Sequence, residues 1–247
     1  MLNKKTIGFD RELNLSWLDL TAGLLQETSD GSSIRQTLTS RLTDEIPGKE
    51  ACRKTVTLLT RIWVRVPPEY QMLQSEALTL LPLVLPKERL WLHWGMSMLA
   101  YPFFYDVAAT VGRLLKLQTE FTSTQVQRRM REAWGERTTV ERAVSRLLKT
   151  LAAWQVITEA TAESHTYLLS TPRHTTNEKL VLWFMECLMW SSRQANERQD
   201  LQLPLFELIQ SPAMFPFELT PHLATLRRSS RFEISHQGLD LEMVAPH

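Results

Sequence analysis

Eight glycines in 247 residues, matched by eight tryptophans, narrow this sequence more than any other feature. Glycine supplies the positive-φ turns and close backbone approaches on which β-sandwiches and nucleotide-binding loops rely. A chain this poor in glycine is therefore expected to be mainly α. Its length allows one large domain or two to three small ones, and 43% hydrophobic residues give it enough apolar material for a sizeable core. Lys plus Arg exceed Asp plus Glu only by 28 to 27, so any affinity for a polyanion must come from local segregation of charge. Cys52 and Cys187 form no CxxC pair, and no apolar leader follows Met1. The longest apolar tracts, Ala77 to Leu85 and Leu180 to Trp190, are interrupted by Pro82 and Glu186 and fall short of the roughly 20 residues that span a bilayer. The expectation is a soluble cytoplasmic protein with no membrane partner.

Periodicity divides the chain into three parts: an N-terminal helical domain over 1–68, a winged helix-turn-helix domain over 69–171 and a C-terminal helical extension over 172–247. From Leu15 to about Val66 the pattern predicts three amphipathic helices, broken at Asp30-Gly31 and Pro47-Gly48. The third, about Lys49 to Arg65, places Cys52, Val56, Leu59 and Trp63 on one stripe, with Arg53, Lys54, Arg61 and Arg65 beside or opposite it. That basic face reads either as a solvated surface or as a phosphate-contacting one. Pro67-Pro68 closes the segment. Helices over Glu69 to Leu81 and Lys87 to Ala100 follow, and Pro102 opens another in the first-turn position, where a missing N–H costs nothing.

The most informative stretch runs from about Phe103 to Ser170. Thr122 with Gln125 and Thr138 with Glu141 have capping-box spacing, which predicts two helix starts sixteen residues apart with a stop near Gly135. A short turn between two helices, the second longer and basic, is the helix-turn-helix plan. In the second helix Val140, Val144, Leu147, Leu148, Leu151 and Trp154 share one side at about 100° per residue. Arg142, Arg146 and Lys149 lie roughly opposite, flanked by Thr139 and Ser145. Guanidinium groups so placed match the acceptors of guanine and phosphate. Val156-Ile157 and Thr166 to Leu169 read as a β-hairpin wing around a polar link, Thr158 to His165. Over Gln125 to Thr150, seven cations (Arg128, Arg129, Arg131, Arg137, Arg142, Arg146, Lys149) face three glutamates. That local +4 supports a polyanion-facing surface, although a winged helix used only for protein contacts fits as well. Thr175 and Glu178 repeat the capping spacing ahead of a helix to about Gln194 that is apolar nearly all round, hence buried or covered by a partner. Pro-marked segments then carry Phe206, Phe215 and Phe217 as anchors, and Phe232-Glu233-Ile234 reads as an edge strand.

The sequence has no phosphate-cradling glycine loop, no HExxH and no GxSxG. His93, His165 and His174 lack neighbours at metal-ligand spacing, the two cysteines sit in apolar helical patterns, and the carboxylate pairs Asp44-Glu45 and Asp240 with Glu242 are isolated. No enzymatic activity, cofactor or metal is expected.

Four segments carry a resemblance to a known family. Leu20-Thr21-Ala22-Gly23-Leu24-Leu25, the basic helix Arg53 to Arg65, Ala100-Tyr101-Pro102-Phe103-Phe104-Tyr105-Asp106 and Thr138 to Ile157 resemble, in order, the opening helix, basic third helix, Tyr-Pro segment and winged-helix region of the BrxA family of BREX bacteriophage-resistance systems. The likeness spans about Trp17 to Ile157, and the chain from about Pro172 extends beyond it. It implies a non-enzymatic DNA-binding accessory subunit of an antiphage defence complex, working beside a methyltransferase and ATPases. From the residues alone, three readings stand: a protein binding double-stranded DNA through Arg128, Arg129, Arg137, Thr139, Arg142, Ser145, Arg146 and Lys149, with Arg53, Lys54 and Arg61 as a second basic set; an interaction scaffold that docks a partner on the apolar 180–190 helix; and a transcription regulator.

Overall fold

Turn chemistry sets the first helices in the computed structural model, which describes residues 7–161, 164–197, 200–238 and 241–247. Helix α1 (Leu15–Glu27) ends at the extended Thr28. The Asp30 carboxylate then accepts from the Ser32 and Ser33 amides at 3.1 Å each, so Asp30-Gly31 is a cap and Gly31 is the first residue of α2 (Gly31–Leu42). Helix α3 (Lys49–Trp63) follows Gly48, whose φ of +94° suits only glycine. Its predicted stripe of Cys52, Val56, Leu59 and Trp63 is buried. After Pro67 and a 3-10 turn at Pro68–Tyr70 come α4 (Gln71–Leu80), α5 (Arg89–Ala100) and α6 (Pro102–Leu117), with Pro102 in the first turn. Every residue of α5 from Leu90 to Ala100 is buried, which makes it the central helix.

The tryptophans hold this centre. A buried indole N–H is costly unless paired. That of Trp94 donates to the Ala213 carbonyl at 3.1 Å, that of Trp154 to Leu13 at 2.8 Å and that of Trp183 to Leu73 at 2.9 Å. Each bond joins segments more than a hundred residues apart, and the Trp94 ring also meets Phe104, Trp154, Phe215 and Phe217. His93, between Trp91 and Trp94, is a core residue with Nε2 3.0 Å from Asp19 Oδ1. Burial pushes its pKa below the ordinary imidazole value.

Strand β1 (Glu120–Thr122) leads into α7 (Ser123–Trp134), where Thr122 and Gln125 form the predicted capping box and Gly135 at φ +91° ends the helix. Helix α8 (Thr138–Ala153) begins one residue earlier than a Thr138 cap would require. Arg137 occupies the cap position, the Thr138 box does not form, and Glu141 instead accepts from Arg131 at 2.9 Å. Strands β2 (Ile157–Glu159) and β3 (Thr166–Leu169) form the expected hairpin, and β1 pairs on the far side of β3, giving the antiparallel order β1-β3-β2. Phe121 stacks on Tyr167 across that pairing.

Helix α9 (Glu178–Ala195) is capped by Asn177, whose side chain accepts from the Leu180 amide. Thr175 does not act as the cap: its hydroxyl donates to the Glu88 carboxylate and accepts from the Asn177 amide, just ahead of the helix. Helices α4, α5 and α6 all pack against α9, and Gly95 permits the closest approach: a Cβ there would lie 2.5 Å from Trp183. Gly112 does the same for the turn at Pro212, whose carbonyl would be 1.9 Å from an added Cβ. The segment expected to be a helical extension is only partly helical. After α9, the short α10 (Leu205–Ile209) and α11 (Leu223–Arg228) accompany a second antiparallel sheet of β4 (Leu203–Pro204), β5 (Phe232–Gln237) and β6 (Leu241–Pro246) in the order β4-β6-β5. Phe215 and Phe217 are buried anchors, whereas Phe206 is exposed. Arg231 ties this sheet to the helices with paired bonds to Glu76 at 2.6 and 2.7 Å and a third to Glu186 at 2.6 Å. Among the described residues no helix is long and apolar enough to cross a membrane.

Trp183, Phe184, Leu188 and Met189 are each no more than 1% exposed, so the chain itself covers most of α9, while Leu182 and Trp190 are half-buried. Leu188→Ala is therefore expected to cost about 2–5 kcal/mol through the cavity it leaves. The check is the denaturant midpoint at constant m-value; a loss below about 1 kcal/mol would mean that α9 is not packed in this way.

Candidate nucleic-acid interface

Helix α8 packs inward through Val140, Val144, Leu147, Leu148 and Leu151, all fully buried, which leaves Arg142, Arg146 and Lys149 exposed on its other side. Helix α3 does the same with its own stripe and turns Arg53 outward, with Lys54 and Arg61 half-buried beside it. The structure sets these two basic faces across a single cleft of about 1260 Å³. That exceeds the roughly 300–1000 Å³ of a small-molecule pocket and is of a size for a polymer.

The segment before α1 closes the cleft between them. Phe9 is buried against the rings of Tyr101 and Phe104 at centroid distances of 5.4 and 5.6 Å. Farther on, the Leu13 amide donates to Thr150 Oγ1 at 3.1 Å while its carbonyl accepts from Trp154. Held at both points, the segment presents Ile7, Gly8, Asp10 and Arg11 to the cleft. Helix α7 braces α8 at the edge of the cleft: Gln127 Nε2 donates to Ser145 Oγ at 3.0 Å, and Arg137 donates to the Trp134 carbonyl at 2.9 Å.

Nine of the eleven residues singled out from the sequence line this one cleft: Arg53, Lys54 and Arg61 on one wall, Arg137, Thr139, Arg142, Ser145, Arg146 and Lys149 on the other. Arg128 and Arg129 lie on α7 outside it, and Arg128 is 3.9 Å from Glu132. Arg11, Tyr101, Gly8 and Gln127 belong to the lining without having been predicted. The available signal was Phe9 and Leu13, two apolar residues bracketing a charged tripeptide, which is the mark of a packed segment rather than a loose tail.

Eight cations line the cleft (Arg11, Arg53, Lys54, Arg61, Arg137, Arg142, Arg146, Lys149) against two carboxylates, Asp10 and Glu141, a net +6 in a chain of net charge +1. Their pairing is uneven. Glu50 holds Arg53 at 2.7 Å and Lys54 at 3.5 Å, and the Arg53 hydrogen bonds bring the Glu50 carboxyl down to about 2. Glu141 is committed to Arg131. Arg61, Arg137, Arg142, Arg146 and Lys149 have no carboxylate within 4.0 Å among the described residues. Like charges gathered without counter-charges are costly to a fold and favourable to an incoming anion.

Elsewhere, His165 and His174 sit at the surface near Glu159 and Glu218, and Cys52 and Cys187 are buried free thiols. Asp240, half of one carboxylate pair read from the sequence, lies outside the described residues. Among those described, no three His, Cys, Asp or Glu side chains converge as metal ligands would. Compared with known proteins, the chain matches no family model, no curated protein and no solved structure.

Because Glu50 competes for Arg53 and Lys54, Glu50→Gln should tighten binding of a polyanion such as duplex DNA by about two- to fivefold, the scale of an exposed ion pair. An anisotropy titration at about 50 mM salt checks this; unchanged or weaker binding would mean the α3 wall stays out of contact.

Proposed function

We propose that this protein binds double-stranded DNA without acting on it chemically, with the phosphate backbone seated in the cleft between α3 and α8. The observation that carries this reading is the convergence of two separate basic faces, far apart in sequence, on one cleft of net charge +6. In that reading α7 and α8 with the β1-β3-β2 sheet are a winged helix-turn-helix, α8 is its recognition helix and the β2-β3 hairpin its wing. Tyr101 is the one aromatic among the described lining residues and is 2% exposed. Single-strand binding draws on open aromatic faces for base stacking, so duplex backbone is the better match. Contacts of this kind read phosphate more than sequence, which favours binding with little base preference.

The resemblance to the BrxA family extends the proposal to an accessory subunit of an antiphage defence complex, with other subunits as protein partners. Its support is spatial as well as sequential: Arg53, Tyr101 and Arg142, from three of the four resembling segments, line the same cleft. The scaffold reading depends on the apolar 180–190 helix, and its own chain covers most of that helix, with Leu182 and Trp190 half-buried.

Charge reversal tests the proposal. Arg142→Glu with Arg146→Glu, and separately Arg53→Glu with Lys54→Glu, should each cut duplex affinity by at least about tenfold and lower the slope of log K against log salt, by about 0.9 for each phosphate that is no longer neutralised. Thermal midpoints should barely move, since exposed substitutions cost about 0.5 kcal/mol or less. Absence of wild-type binding at about 50 mM salt would reject the proposal outright.

A further inference from the structure

The inner end of the cleft differs from its walls. Tyr101 is buried to 2% exposure, with its ring edge against Phe9 and Arg61 lying 4.8 Å over its face. Gly8, at φ +64°, passes so close that a Cβ would come within 2.8 Å of the ring and 3.6 Å of an Arg61 nitrogen. Ring and guanidinium are thus fixed relative to one another. The Tyr101 hydroxyl has no hydrogen-bond partner among the described residues, and Tyr101 lines the cleft. A phenol O–H and a guanidinium fork with unused donors, held against one another, lack one thing: an acceptor with several oxygens.

From this geometry we infer that Tyr101 and Arg61 form a phosphate subsite at the floor of the cleft, which holds one phosphate group through the phenol hydroxyl and the guanidinium fork. The wall cations act on a polyanion as distributed charge, whereas this subsite is directional and fixes register. The inference rests on the proposed reading in that the phosphate expected there is a backbone phosphodiester. The same donors would take a free phosphate.

Tyr101→Phe removes one oxygen and leaves the ring, its Phe9 contact and its Arg61 contact in place. Duplex affinity should fall about tenfold, as for loss of a hydrogen bond to a charged group. The salt slope should be unchanged because no cation is removed. Arg61→Lys keeps the charge but not the fork and should also weaken binding, which guards against a Phe variant that misfolds. In parallel, inorganic phosphate at millimolar concentration is tested for a rise in thermal midpoint in the wild type and in Tyr101→Phe. If duplex binds and both variants bind it as tightly as wild type, the subsite is overturned while the cleft reading stands. If duplex fails to bind but phosphate stabilises the wild type and not Tyr101→Phe, the subsite stands for a free phosphate and the duplex reading falls. If neither duplex nor phosphate is bound, both are wrong.

Discussion

Leu13 is gripped at both ends of its peptide groups, the amide by Thr150 and the carbonyl by the Trp154 indole. A backbone without regular structure is thereby held at the C-terminal end of α8, and Phe9 pins the same segment between Tyr101 and Phe104. The consequence is geometric. The α3 wall belongs to the first helices of the chain and the α8 wall lies about ninety residues later. Both helices share one core, and this short connection adds a direct tie along the cleft between them. With it they share a floor made by Gly8, Arg61 and Tyr101.

That arrangement accounts for a molecule whose total charge is uninformative. The 27 acidic residues nearly cancel the basic ones overall, but many are used elsewhere as ties: Glu76 and Glu186 on Arg231, Asp19 on Arg89 and His93, Asp106 on the Trp134 indole. Committing carboxylates to structural bonds away from the cleft leaves five of its cations unpaired among the described residues. Glu50 and Glu141 are the local exceptions and limit how much of the α3 wall and of the α7-α8 turn is free to meet an anion.

Periodicity made much of this legible. The inward stripes of α3 and α8 and the opposed Arg142, Arg146 and Lys149 follow from 100° per residue, and the Thr122-Gln125 box follows from its spacing. What was hidden is tertiary. The Thr138-Glu141 spacing is that of a capping box, yet Arg131 takes the Glu141 carboxylate and the helix starts a residue early, a competition no local pattern reveals. The mid-helix glycines at 95 and 112 look like weak points in a helix but are places where Trp183 and Pro212 press against backbone. The edge strand read at Phe232-Glu233-Ile234 is β5, but its sheet also takes in β4, about forty residues from its partner β6, a pairing that the proline-rich text between them does not announce. Above all, the sequence shows two basic faces and not that they look at each other, because that depends on the shared core and the Leu13 clip.

The claim that both faces form one site is tested most directly by amide hydrogen exchange on the free protein and on the protein saturated with duplex DNA. The account predicts slowed exchange on binding in three separate stretches at once: around 8–13, around 50–61 and around 137–149. Protection confined to 137–149, with 8–13 and 50–61 unchanged, would contradict it and leave α8 as an independent contact surface.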